Sequence, residues 1–180
     1  MSVLRYPSTP LTADRLMAER PDDGRRHELI DGTELVTPTP TPRHQVVVTR
    51  VLGILHDALP EGLSVLVAPV DWRVDDMTVL VPDLVVVEDA DLEGAFLTRP
   101  PRLVVEVASP ATAMADRTIK RAAYEAAGVP AYWLVDPDVP SVVVMERDGQ
   151  HLLERLSLAG DDRAELAVPF PLTLSPAWLV

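Results

Sequence analysis

Two short apolar runs, at 84–87 (LVVV) and 103–105 (LVV), constrain the fold more than any other feature of the chain. Each run has the length of a strand and is apolar at every position, which is typical of strands buried on both faces. Such strands lie inside a sheet that is covered by other layers. The two runs therefore predict central strands of an α/β fold.

Capping residues and apolar periodicity predict two main helices. Pro42 begins the first, whose apolar residues recur on one face until Pro60 ends it. The second spans 116–127 and is closed by Gly128, the residue type favoured just past a helix end. A shorter helix is expected after Thr12, which is a suitable N-cap.

Shorter strand patterns surround the central runs. Asp31-Gly32 and Asp148-Gly149 are turn signals that join strands into hairpins. The run 132–135 has the character of a further central strand. Together these segments predict an α/β sandwich, a mixed β-sheet flanked by two main helices. Additional short strands are expected at 64–68, 70–74 and 79–81.

At 180 residues the chain has the length of a single domain, and we expect one domain over 1–180. It has no cysteine, which excludes a disulfide framework and a thiolate metal site and fits a reducing cytosol. No segment approaches the length of a membrane span, and the N-terminus lacks a signal-peptide core. We therefore expect a cytoplasmic protein without a membrane partner.

The net charge of -12 bears on possible partners. Lys and Arg that neutralise phosphates supply most nonspecific affinity for nucleic acid, so this charge argues against a broad, unspecific grip. It does not exclude a nuclease, because acid-rich sites recruit divalent metal and a local basic patch can dock the substrate. Candidate patches are Arg25 with Arg26, Arg43 with Arg50, and Arg117 with Arg121.

Two acids stand in unusual settings beside the central runs. Glu106 follows Val104 and Val105 in an apolar strand, where a carboxylate is costly unless it is paired, hydrogen-bonded or bound to a cation. Alternatively, Glu106 faces solvent or ends the strand and pairs with an arginine. Asp83 follows Pro82 at the start of the other run, where a turn or capping role is the alternative. Adjacent strands can place both carboxylates within reach of one Mg²⁺ or Mn²⁺ ion.

Lys120 is the only lysine among 16 basic residues. Lys carries a compact ammonium whose pKa can be tuned, whereas Arg carries a planar guanidinium that stays protonated. An isolated lysine among arginines therefore suggests a chemical role. Its helix follows the Glu106 strand and can return the ammonium to the two carboxylates, with Tyr124 one turn further on the same face. The alternative is an exposed pair with Asp116 at i and i+4.

The four histidines carry little information. His27, His44, His56 and His151 have no metal-ligand spacing. Only His44, in the first turn of the first main helix, is a candidate for the site, and a polar residue at a helix start is the alternative for it.

Five segments occur in a fixed order along the chain, namely HELIDG (27–32), PRHQ (42–45), VPDLVVV (81–87), VEVASP (105–110) and GVPAYWLVD (128–136). Together with Lys120 they resemble the Uma-type family of putative restriction endonucleases, in the PD-(D/E)XK nuclease superfamily. The resemblance extends from about residue 12 to about residue 150, so 151–180 is expected to be a C-terminal extension of strands.

The resemblance implies a restriction-endonuclease-like core and Mg²⁺-dependent hydrolysis of phosphodiester bonds. Asp83 matches the family's PD aspartate, Glu106 its second acid, and Glu28 an additional N-terminal acid. The superfamily lysine expected two positions after the second acid is replaced by Ala108. Lys120 fits a lysine displaced to the following helix, as in the Uma-type pattern.

The sequence thus predicts a DNA endonuclease in which Asp83, Glu106 and a backbone carbonyl near Val107 bind Mg²⁺, or Mn²⁺. Lys120 assists the attacking water, and Glu28 orders or completes the metal shell. One small acidic protomer offers little surface for a duplex, which is compatible with a homodimer. Two alternatives stay open: a non-catalytic module for protein interaction or oligomerisation, and the same site acting on RNA or a nucleotide-like small substrate.

Overall fold

Thirteen strands and three α-helices make up the part of the chain that the computed structural model describes, residues 2–7, 9–108 and 116–180. The helices are α1 (Ala13–Glu19), α2 (Pro42–Ala58) and α3 (Arg121–Ala126), and a π-helical turn, Asp116–Lys120, leads directly into α3. The strands are β1 (Val3–Arg5), β2 (Arg26–Ile30), β3 (Thr33–Thr37), β4 (Leu63–Val67), β5 (Trp72–Asp75), β6 (Thr78–Leu80), β7 (Leu84–Glu88), β8 (Leu103–Val107), β9 (Ala131–Asp136), β10 (Ser141–Asp148), β11 (His151–Ala159), β12 (Ala164–Leu166) and β13 (Leu172–Leu174).

The two apolar runs are neighbouring central strands, as predicted. They form β7 and β8 of a six-stranded sheet with the order β11-β10-β9-β8-β7-β4. Every residue of β8 is buried, and in β7 only Glu88, at its end, is partly exposed. β8 and β9 are parallel, whereas the other neighbours are antiparallel. The predicted α/β class is confirmed.

The parallel pair decides where Lys120 lies. Parallel neighbours need a crossover connection, and here that connection carries the π-helical turn and α3. Helix α3 packs back on the sheet, because Tyr124 joins the apolar cluster that contains Val104 and Tyr132. Lys120, at the start of α3, is thereby placed over the strand that carries Glu106.

The larger sheet has a core on each face. On one face, the apolar side of α2 packs against the sheet through Val47, Val51 and Leu55. C-terminal residues complete this core, namely Leu166, Phe170, Leu172, Leu174 and Leu179. The opposite face packs Val104 and Leu134 against Trp72, Leu80 and Tyr124. Glu106, two residues after Val104, belongs to this second face.

A second sheet lies against the first, where the sequence predicted a single one. Its strand order is β1-β3-β2-β6-β5, so both predicted N-terminal segments, the 28–36 hairpin and the strand near 79–81, belong to it. The chain passes from the smaller sheet to the larger through only three residues, 81–83. Asp83 is therefore fixed at the junction of the two sheets.

The N-terminal helices begin where their capping residues predict. The hydroxyl oxygen of Thr12 accepts a hydrogen bond from Arg15 N, and that of Thr41 accepts one from His44 N, each at 3.3 Å. The cap of α2 holds His44 in its first turn. Within the described residues, no helix combines the length and the apolar character needed to cross a membrane.

The predicted helix 116–127 differs from the structure in its first turn. That turn is π-helical, and the α-helix begins only at Arg121. Gly128 follows the helix with a φ of +84°, as expected for a residue that ends it. Ser109 and Pro110, the end of one family segment, lie outside the described residues.

Gly32 lies in the turn of the β2–β3 hairpin, where this turn meets the β5–β6 turn that contains Met77. Its φ is +73°, and a Cβ there would lie 2.5 Å from Cε of Met77 and 2.9 Å from Cβ of Pro10. Its N–H donates to the carbonyl of Met77 at 2.9 Å. Left-handed backbone and close contact therefore both require glycine at this position.

We predict that Gly32→Ala lowers the free energy of unfolding more than Gly149→Ala does, by about 1–3 kcal/mol for the added overpacking. Gly149 is the matched control, because its φ is also positive, at +61°, but nothing lies within 4 Å of its added Cβ. Urea denaturation measures both values. Equal losses in the two variants would show that the contact with Met77 and Pro10 contributes nothing.

Candidate active site

The four residues predicted for the site come together where the two sheets meet. Glu28 lies in β2, Asp83 in the connection between β6 and β7, Glu106 in β8, and Lys120 directly before α3. Each is at most 2% exposed. Residues 92 positions apart in the chain thus share one buried cluster, because β2, β8 and the start of α3 converge there.

Lys120 is the centre of this cluster. Its Nζ lies 2.9 Å from Oε1 of Glu106 and 3.0 Å from Oε2 of Glu28. Because Glu106 and Lys120 are both buried, their interpretations as solvent-facing residues are wrong. The side chain of Asp116, the partner in one of those interpretations, lies outside the described residues.

Tyr124 is a neutral hydrogen-bond donor to the cluster. Its hydroxyl donates a short hydrogen bond to Oε1 of Glu106, the oxygen that Lys120 also contacts. Burial, followed by the charges of Glu106 and Glu28, raises the pKa of Tyr124 well above its ordinary value. The hydroxyl therefore keeps its proton and holds the Glu106 carboxylate in one orientation.

Glu28 ties the smaller sheet to the connection that carries Asp83. Its Oε1 accepts a hydrogen bond of 2.9 Å from the N–H of Val81. Its Oε2 contacts Lys120 without the angle of a hydrogen bond, and so it is a buried oxygen with an ion-pair partner but no hydrogen-bond donor among the described residues.

Asp83 is held by three donors. Its Oδ2 accepts a hydrogen bond of 2.8 Å from the N–H of Val107 and lies 3.0 Å from Nε2 of His44. Its Oδ1 accepts a hydrogen bond of 2.7 Å from Nη2 of Arg26. The N–H of Val107 comes from the residue after Glu106, which brings the two acids to neighbouring positions.

The charges of the cluster control its titration. Burial alone would raise the pKa of Asp83, but the hydrogen bond with His44 and the charges of Arg26, His44 and Lys120 hold that pKa well below its ordinary value. Burial likewise acts to lower the pKa of Arg26, and the charges of Asp83, Glu28 and Glu106 outweigh it, so the pKa of Arg26 is raised. Asp83 and Arg26 are thus ionised together as a buried pair.

The donor chemistry of the cluster fits a hard divalent cation. Mg²⁺ and Mn²⁺ take oxygen ligands, and the cluster offers three carboxylates, including the buried Oε2 of Glu28 that lacks a hydrogen bond. In the structure these carboxylates face Lys120, Arg26 and His44. Within residues 2–7, 9–108 and 116–180, no group of three or more His, Asp or Glu side chains is already arranged to hold a metal ion.

Sequence reasoning missed the role of Arg26. It was treated as a docking residue on the surface, whereas its side chain is 16% exposed and paired with Asp83. A signal was present, since Arg26 and Glu28 are two apart in one strand and therefore share a face. His44 and Tyr124 were singled out, but their partners, Asp83 and Glu106, could not be assigned.

One arginine from each of the other two proposed patches has partners elsewhere in the fold. Arg43 donates to the carbonyl of Pro137 at 2.6 Å and pairs with Asp138 at 3.5 Å. Arg121 donates to the carbonyl of Leu152 at 2.8 Å. The side chain of Arg117 lies outside the described residues.

Comparisons with known proteins identify relatives of the chain. A family model named Uma2, described as "Putative restriction endonuclease", matches residues 14–177. A solved structure, a putative nuclease belonging to DUF820 from Anabaena variabilis, has a TM-score of 0.78 at 21% sequence identity. The match covers 95% of this chain and 100% of that one. No curated protein matches the chain. At this identity the structural match shows the fold, which agrees with the predicted nuclease-like core.

We predict that Lys120→Met lowers the free energy of unfolding by about 3–5 kcal/mol, because it leaves two buried carboxylates without their cation. Arg155→Met is the matched control, since Arg155 pairs with Asp148 at 2.9 Å on the surface, and its loss should cost at most about 1 kcal/mol. Adding Glu28→Gln to Lys120→Met should restore part of the loss. Chemical denaturation measures all three, and equal losses for Lys120→Met and Arg155→Met would contradict the buried role.

Asp83 predicts a specific dependence of stability on pH. Its folded-state pKa lies below the ordinary value of 3.8, so the folded chain stays ionised where the unfolded chain takes up a proton. The stabilisation is therefore complete above that value and is lost as the pH falls below it. Between about pH 4.5 and pH 3 the wild type should lose about 1 kcal/mol more than Asp83→Asn. Identical pH profiles, measured by urea denaturation in a chelator, would contradict this.

Proposed function

Because the chain belongs to the Uma2 family of putative restriction endonucleases, we propose that it is a metal-dependent endonuclease that hydrolyses phosphodiester bonds of DNA. The observation that carries this proposal is the buried contact of Lys120 with Glu106 and Glu28, beside Asp83. Two acids on adjacent strands and one ammonium supply the groups needed for hydrolysis of a phosphodiester. The displaced lysine, Lys120, contacts Glu106 directly, and its charge also acts on Asp83.

In this proposal Asp83 and Glu106 hold the Mg²⁺ or Mn²⁺ ion, and the carbonyl of Val107 is the third protein ligand. Val107 is a suitable source, because its N–H already points to Asp83, and the N–H and C=O of a residue in a strand face the same neighbour. Glu28 completes the shell or orders the lysine. The bound cation supplies Lewis-acid polarisation of the phosphoryl oxygen and a hydroxide near neutral pH.

The protein's own groups position the reactants. The ammonium of Lys120 orients the attacking water and stabilises the negative charge that develops on the phosphoryl oxygens. Tyr124 keeps Glu106 in place through its hydroxyl. Arg26 is the cation that must move, because its guanidinium is bound to Oδ1 of Asp83. Released from Asp83, Arg26 is available to a phosphate at the mouth of the cluster.

A non-catalytic module is the second candidate function. One observation favours it: each carboxylate of the cluster already faces a cation of the chain, so the cluster is a stable polar core by itself. In that case the family fold serves protein interaction, and no metal is needed. Metal binding separates the two candidates.

We predict that calorimetric titration detects Mn²⁺ and Mg²⁺ binding, weakened at least about tenfold by Asp83→Asn, since a neutral amide is a poorer ligand. Cleavage of DNA, tested on plasmid, linear duplex and single-stranded substrates with RNA alongside, should require the metal and be lost in Glu106→Gln. The control is Asp148→Asn, a surface acid outside the site that pairs with Arg155. Absence of metal binding, or binding that Asp83→Asn leaves unchanged, would favour the non-catalytic module.

A further inference from the structure

A groove leads away from the catalytic cluster and is lined by a third of the arginines of the chain. It consists of three adjoining depressions, of about 580, 350 and 220 Å³. The largest opens at Arg26, the partner of Asp83. Arg20 lines both the first and the second depression, while Arg25 joins the first to the third and Arg5 the second to the third. We call these three adjoining depressions the arginine groove.

The arginines of the groove are exposed and held in place. The side chains of Arg5, Arg15, Arg20 and Arg25 are 37–55% exposed. Each is oriented by an acid, most closely Arg20, which makes two bonds of 2.7 Å to Asp71. Surface ion pairs of this kind contribute only about 0–1 kcal/mol, so a phosphate can compete for the guanidinium groups. Five arginines and four acids line the groove, which gives it a formal charge of about +1 in a chain of net charge -12; the acids are Glu19, Asp22, Glu34 and Asp71.

An exposed aromatic side chain, Tyr6, also lines the groove. Tyr6 lines the second depression beside Arg5 and Arg15 and is 76% exposed. Such a ring is not needed for the core. Proteins bind single strands where cationic side chains contact the backbone and a base stacks on an exposed aromatic ring. The arginines and Tyr6 supply these two kinds of group.

We propose that the arginine groove binds a single-stranded stretch of nucleic acid and leads its phosphodiester to the cluster at Asp83. This inference rests on the proposed nuclease function for the delivery step, but not for binding. A single strand is favoured over a duplex, because paired bases have their faces covered by their neighbours and cannot stack on Tyr6. The depressions also have the volume of small-ligand pockets, which suits a few nucleotides. The groove therefore sets the substrate class of the adjoining site.

The test is direct binding of fluorescein-labelled 15-mers, dT15, rU15 and a 15-base-pair duplex, to the full chain in EDTA, so that cleavage does not interfere. Wild type should prefer both single strands to the duplex. The double variant Arg5→Gln with Arg25→Gln should weaken dT15 binding and lower the salt slope by about 1.4, or about 0.7 per lost phosphate contact. Tyr6→Ala should weaken binding about 5-fold to 100-fold, and Tyr6→Phe should restore it.

The control is the double variant Arg99→Gln with Arg155→Gln. These arginines are similarly exposed and paired with acids, but they lie outside the groove. Preference for the duplex, no binding of single strands, or equal losses in the control and groove variants would each overturn the proposal. Similar binding of dT15 and rU15 supports it, because phosphates and stacked bases are common to both.

The same variants separate this inference from the proposed function. Binding of single strands through Tyr6 and the arginines, without cleavage in Mg²⁺ or Mn²⁺, supports the groove and contradicts the nuclease. Metal-dependent cleavage of DNA at wild-type rate by both Tyr6→Ala and the Arg5, Arg25 variant, with unchanged binding, contradicts the groove and leaves the nuclease intact.

Discussion

The rest of the site depends on the buried ion pairs that the ammonium of Lys120 makes. This ammonium contacts one carboxylate from each sheet, Glu28 from the smaller and Glu106 from the larger. Buried carboxylates are costly without a counter-charge, so the two sheets can approach at this point only because that cation lies between them. A compact ammonium fits between two buried carboxylates that lie about 3 Å from it, where a larger planar guanidinium would need more room. This explains why the only lysine of the chain stands here.

Part of this arrangement could be predicted from the sequence, because burial and helical periodicity are local signals. The apolar runs favoured a paired, buried Glu106 over a solvent-facing one, and the spacing of Lys120 and Tyr124 placed both on one face of the following segment. Lys120 and Tyr124 lie on the same face in spite of the π-helical turn, since both side chains reach Oε1 of Glu106. The family segments supplied Glu28 and Asp83 as members of the cluster.

The rest depended on which strands become neighbours, and that is a tertiary property. Strand patterns show what is buried but not what is adjacent, so they predict one sheet where the described residues form two large sheets and a two-stranded one, β12-β13. Only three residues separate β6 from β7, and nothing local shows that the chain changes sheets between them. For the same reason Arg26 could not be matched to Asp83, 57 positions away. The catalytic roles themselves remain predictions, since geometry brings residues together without measuring what they do.

The three-residue connection between β6 and β7 holds Asp83 between the two sheets. Asp83 has no loop of its own, so its position is inherited from the packing of two sheets and tolerates little change nearby. Apart from Arg26, which pairs with Asp83, the arginines of the proposed groove and Tyr6 lie outside the cluster and within the first 26 residues. Substitutions there can redirect the protein to new targets while the carboxylate cluster is inherited unchanged. A fold organised in this way can diversify its specificity without rebuilding its chemistry.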